Sequence, residues 1–173
     1  MVCFLFLFTP PLDASLKELE DYIPRLALYY HVRDEILTTS QGQYYTDLYY
    51  THSDEVTDLV FADSALWDLA LDTLFQWESN VAALVAGDGE SAVITAAQIQ
   101  AVEDFLDALS AAGSPTLQQA IAAERAKLPP FATFIGMTMA DARGIIVGYE
   151  IYLPVLQQPG LFSSKELGVF HLL

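Results

Sequence analysis

The chain has 173 residues, 53% of them apolar and 12% aromatic against 17% charged. That is about one domain's length with ample material for one buried core, and it excludes an intrinsically disordered protein. Seven Lys and Arg against 23 Asp and Glu give a formal net charge of −16, so the molecule repels phosphate backbones and anionic lipid surfaces, and nucleic acid is excluded as a partner.

The run Val2 to Phe8 is strongly apolar but far shorter than the roughly 20 residues of a membrane span. It lacks the positive flank of a signal peptide, so residues 1–12 are expected to form an apolar arm or a truncated leader. Cys3 is the only cysteine, which leaves it without an internal disulfide partner or a second thiolate for a metal. Its wholly apolar neighbours give no reason for the thiol to be activated.

From Asp13 to about Arg143 the apolar spacing is helical rather than alternating. Ser15 and Glu18 form a capping box ahead of Leu16, Leu19, Ile23 and Leu26, with Pro24 dividing or kinking that helix. A second segment carries Tyr29, Tyr30, Val32, Ile36 and Leu37, and the polar stretch Thr38 to Gly42 reads as a turn whose glycine permits a positive φ. Gln43 to Thr51 is then a short, tyrosine-rich and largely buried helix, and Ser53 with Asp54 and Glu55 caps a new one.

Asp63 or Ser64 starts a further helix through Trp67, Leu71, Leu74, Trp77 and Val81, either one helix or two divided near Ser79 and Asn80, stopped by Gly87 to Gly89. Thr95 and Gln98 form another capping box. Gly113, Ser114 and Pro115 are a stop, an N-cap and an N1 proline in succession, which predicts a tight αα-hairpin whose second arm ends at Pro129 and Pro130. Thr138 caps a last short helix. Gly144 to Leu156 is apolar and β-branched, helical at most at its start, so residues 144–173 are expected to form an apolar C-terminal arm. The fold expected is mainly α, an irregular multi-helix bundle over residues 13–143 with short apolar extended segments at the N- and C-terminal ends.

The densest candidate chemistry lies between His31 and Glu55. His31 and Glu35 stand at i,i+4, and His52 and Glu55 at i,i+3; if the two sets face each other across Gly42 they would form a divalent-metal site of a small metal-dependent enzyme. The order is His before Glu, the reverse of the di-iron motif, and the alternative is that the acids serve helix termini. His52, Ser53 and Asp54 are the residue types of a hydrolase triad, but neighbours in a chain diverge, and no nucleophile elbow is present. Gly87 to Gln98 has the rhythm of a calcium loop without its ligands.

Seven of the nine tyrosines lie between Tyr22 and Tyr50. Tyr45, Tyr49 and Tyr50 are the candidates for a binding surface, since consecutive tyrosines must direct some rings outward. Arg33 and Asp34 read as a structural pair tying the turn at Gly42 to its helix.

The skeleton Arg33, Asp34, Leu37, Thr38, Gly42, Tyr49, Tyr50 and Ser53 resembles a helical module of bacterial secreted and surface proteins that follows a Cys-Phe-Ile box of the CFIATAAYGS type. Cys3 and Phe4 correspond to the end of such a box, whereas Leu5 to Pro10 depart from it. Ile151 to Val155 is similar to a short tail of secreted proteins from relatives of filamentous phototrophs. These resemblances imply an extracellular or cell-envelope location, as against a cytoplasmic one, and a non-catalytic accessory or protein-interaction role without transferable site residues.

Overall fold

A computed structural model describes residues 28–148. The N-terminal arm, the Ser15 capping box, Pro24 and the C-terminal arm beyond 148 lie outside the described residues. What is described is mainly α, as the apolar periodicity requires. A helical turn over 28–31 widens into a π turn, Val32–Ile36, closed by the Leu37 N–H on the Val32 carbonyl at 3.0 Å. Helices α1 (Ser40–Ala62), α2 (Ser64–Val85), α3 (Ala96–Ala112), α4 (Pro115–Lys127) and α5 (Met139–Val147) follow, with a 3₁₀ turn at Phe131–Phe134 before α5. No helix among them is long and apolar enough to cross a membrane.

Most boundaries follow from local capping chemistry. Asp63 is the only residue between α1 and α2; extended at φ −125° and ψ 111°, it donates its N–H to Leu59 at 3.2 Å while its carboxylate accepts from Ala65 N–H at 2.8 Å. One residue thus closes one helix and opens the next. Helix α2 is a single helix through Ser79 and Asn80, and it ends in a Schellman motif. Gly87 at φ +80° supplies the left-handed residue, and Asp88 N–H reaches back to the Ala83 carbonyl at 2.8 Å. The Thr95–Gln98 capping box is formed, and Ser114 caps α4 with Pro115 at its first turn.

Two local expectations are corrected. The tyrosine-rich segment is the first half of a 23-residue helix, not a short helix ending before Ser53. Positions 45, 49, 52, 56 and 60 keep one helical stripe in phase across the supposed break, with Tyr45, Val56 and Val60 buried. Thr51, meanwhile, satisfies its hydroxyl by donating to the Asp47 carbonyl at 2.8 Å. Nor does Gly42 form a turn with positive φ: it lies in the first turn of α1. A Cβ built there would stand 2.6 Å from the Leu37 backbone, so glycine is required by the close approach of the π turn rather than by its dihedral freedom.

Helices α2 and α3 form the centre, burying Trp77, Val81, Val102 and Phe105, the last fully. The α2–α3 connection is clasped to the segment before α5 by an isolated antiparallel bridge between Val93 and Thr138, with Ile94 N–H on the Met137 carbonyl at 2.9 Å and Met139 N–H on Ala92 at 2.8 Å. The helical body extends beyond Arg143, since Ile146 and Val147 of α5 are buried. At its far end the Thr39 hydroxyl donates to the Val147 carbonyl at 2.6 Å and accepts from Gly42 N–H at 3.0 Å. Helix propensity alone would have Gly42→Ala stabilise α1; the contact with Leu37 instead predicts a loss of about 1–3 kcal/mol from overpacking, read as a lowered midpoint in urea unfolding.

Candidate functional site

The π turn and the first half of α1 assemble an aromatic cluster around Arg33. Its guanidinium carbon lies 5.0 Å from the centre of the Tyr30 ring, and its Nη1 donates to the Tyr50 hydroxyl at 3.3 Å. The Tyr49 and Tyr50 rings meet edge to face, 5.1 Å apart. Consecutive residues on a helix point about 100° apart, which separates the three tyrosines singled out in the sequence. Tyr45 is only 4% exposed and belongs to the core, Tyr49 is half-buried, and Tyr50 is 58% exposed, beside Tyr30 at 44%. Asp47 and Asp54 lie three before and four after Tyr50 on the same helix, and both are exposed. Burial pushes the Tyr49 phenol up, with Tyr50 and Tyr30 adding to the shift and Arg33 opposing it.

Of the four candidate metal ligands, His52 and Glu55 have separate surroundings. His31 precedes the π turn, and nothing is described of the Asp34 and Glu35 side chains. Glu55 is engaged elsewhere: its carboxylate accepts from Ser114 N–H at 2.6 Å and from the Ser114 hydroxyl at 3.0 Å, so it serves the positive end of α4 and fastens α1 to the α3–α4 hairpin. Among the described residues no three His, Cys, Asp or Glu side chains are grouped to hold a metal ion. Asp54 is exposed, whereas His52 and Ser53 line a groove on another side of α1. In the loop with the rhythm of a calcium site, Asp88 accepts the Ser91 hydroxyl at 2.7 Å and holds its own turn.

That groove is the feature the sequence does not announce. It lies between α1, α3 and α4, is partly open to solvent with a cavity of about 90 Å³, and has walls that include Tyr49, Val56, Phe105, Leu109, Leu117, Ile121 and Phe131. At one edge stand Glu124 and Arg125 of α4. Glu124 Oε1 accepts from the Tyr44 hydroxyl and from Lys127 at 2.7 Å, and Lys127 also donates to the Tyr44 oxygen at 2.7 Å. These hydrogen bonds, to Glu124 first and then Tyr44, hold the Lys127 ammonium above its usual range. Arg125 pairs with Asp107 at 2.6 Å and reaches the Glu103 carbonyl at 3.3 Å. Yet Glu124 Oε2 and Arg125 Nε are buried without any hydrogen-bond partner, a condition that costs about 1–3 kcal/mol per group. Only the i,i+3 spacing of Glu124 and Lys127 was visible in the sequence; their engagement with Tyr44 depends on the tertiary fold.

Tyr49 and Lys127 both bind their protons more tightly folded than at the ordinary values of 10.0 and 10.5. The stability they contribute is therefore complete below the unfolded values and is lost as pH rises through the folded ones. The melting temperature should fall from about pH 10 upward, and Tyr49→Phe should flatten that fall in thermal melts across the alkaline range. Glu55→Ala, which strips the carboxylate from Ser114, should cost about 1 kcal/mol in chemical unfolding. No protein-family model, curated protein or solved structure matches this chain.

Proposed function

We propose that the chain is a non-catalytic protein-interaction or accessory module of a secreted or surface-associated bacterial protein, with Tyr30, Arg33, Tyr49 and Tyr50 as its contact surface. The single observation that carries the reading is two exposed tyrosine rings held in place by one arginine and flanked by exposed carboxylates. Tyrosine and arginine are the residues that concentrate binding energy at protein interfaces, because they present large contact area at low conformational cost. The π turn beneath the cluster is a type of distortion found disproportionately at functional sites. The bacterial and extracellular setting rests on the sequence resemblance alone.

The acidic flanks define the partner's chemistry. Asp47 and Asp54 beside Tyr50, on a chain of net charge −16, favour a partner that offers Lys or Arg side chains to the ring faces and to the rim. The test is a photo-reactive residue at Thr51, which is exposed beside Tyr50, with the same group at exposed Gln100 on α3 as the control. Protein adducts are expected from position 51 and not from position 100, and they should weaken with salt and with Tyr50→Ala, which should lower affinity about tenfold or more. Equal adducts from both positions, or adducts indifferent to Tyr50→Ala, would reject the reading.

A further inference from the structure

Independently of the tyrosine surface, we infer that α4 is an electrostatically seated strap. It opens as one unit from α1 and α3, uncovering their apolar wall, while the rest of the fold stays intact. Little of α4 is held by apolar burial. Of its 13 residues Leu117 alone is buried, and a cavity of about 90 Å³ lies between it and Val56, Phe105 and Leu109, which forfeits part of the dispersion attraction of close packing. Helical hydrogen bonding also stops at both of its ends. Ser114 before it is extended at φ −62° and ψ 162°, Leu128 after it at φ −87° and ψ 153°, and Pro129 has no N–H to carry the helix on. Helix α4 can therefore leave without unwinding α3 or the 3₁₀ turn.

What seats α4 is charge. It carries Arg125 and Lys127 against Glu124, whereas α1, α2 and α3 hold acidic residues and no Lys or Arg at all. It is thus a cationic segment on a chain of net charge −16. Both ends are clasped by that acidic body. Glu55 of α1 accepts from Ser114 N–H at 2.6 Å, Asp107 of α3 pairs with Arg125 at 2.6 Å, and Tyr44 of α1 donates to Glu124 and accepts from Lys127 at 2.7 Å. Partly exposed pairs of this kind hold weakly and are screened by salt. The closed position also leaves Glu124 Oε2 and Arg125 Nε buried with no hydrogen-bond partner, and opening returns both to water. Ionic strength therefore acts in opposite directions on the two parts. Salt loosens the strap, while it relieves the self-repulsion of the acidic chain and so favours the compact body.

The experiment is residue-resolved amide hydrogen exchange on the full chain. A 13-residue helix is marginal once detached, so lifting exposes its amides together. Residues 119–127 are expected to share one opening constant, about tenfold or more above that of Trp77, Val81, Val102 and Phe105 in the centre. Raising salt from about 0.02 M to about 0.5 M should speed exchange in α4 about threefold and not in α2 or α3. Val81→Ala weakens only global unfolding, so it should speed exchange in α2 and α3 about tenfold and leave α4 unchanged. The wild-type pattern and the salt series decide even if that variant does not fold. Exchange of α4 as slow as that of the central helices would overturn the proposal, as would rates graded inward from one end. So would equal responses of α4 and the centre to salt or to Val81→Ala.

Discussion

The arrangement of the helices depends on how Gln98 joins α2 to α3. Its Oε1 accepts from the Thr95 backbone N–H at 2.8 Å and so completes the capping box of α3. Its Nε2 donates to the Gln76 carbonyl of α2 at 2.8 Å, and its own carbonyl accepts from Trp77 Nε1 at 3.2 Å. A buried amide that satisfies both of its ends fixes the register of two helices more sharply than apolar contact, which tolerates sliding. Thr73 continues the same seam by donating to the Ala101 carbonyl at 3.1 Å. Asn80 extends it at the other end, donating to Val93 at 3.1 Å. With that register set, Phe105 and Leu109 point toward α1 and α4, and the groove follows as the space that three helices enclose.

Features written in contiguous residues were legible from the chain alone. A helix start at Asp63 or Ser64, the Thr95–Gln98 box and the Gly113-Ser114-Pro115 hairpin all involve groups a few positions apart, so their chemistry is complete before any tertiary contact forms. Ser53 carries the same kind of signal and misleads, because nothing at Thr51 or His52 breaks the helix and the stripe through Tyr45, Val56 and Val60 outweighs an optional cap. Gly42 misleads for a related reason: a glycine after a polar run has two uses, and only the position of the Leu37 backbone decides between them. The candidate site was legible in part. Tyrosine density pointed to the stretch of chain where the cluster around Arg33 lies, but which ring faces outward is set by helical phase against neighbours that the sequence does not reveal. The unpaired atoms of Glu124 and Arg125 were not legible either, since they arise only from the packing of α4 against its neighbours.

The two surfaces differ in physical character. The tyrosine cluster is open and rimmed by charge, suited to a macromolecule that approaches through an electrostatic field. The groove is small, mainly apolar and partly open to solvent, and it shares Tyr49 with the cluster. Both use α1, whose 23 residues present Tyr50 on one side and His52 and Val56 on another. The helix that the sequence suggested dividing therefore links the two.

Thr39 has a consequence for how the molecule opens. One hydroxyl bridges the start of α1 and the end of α5, accepting from Gly42 and donating to Val147. Fraying at a helix end is ordinarily a private event, since each terminus releases its own unpaired groups to water. Here the carbonyl end of α5 and the amide end of α1, two points separated by most of the described chain, bond to the two sides of one hydroxyl. With the Val147 carbonyl in place the Thr39 side chain is held in the rotamer that caps Gly42, so slower exchange of the Gly42 amide with solvent would report that α5 is seated.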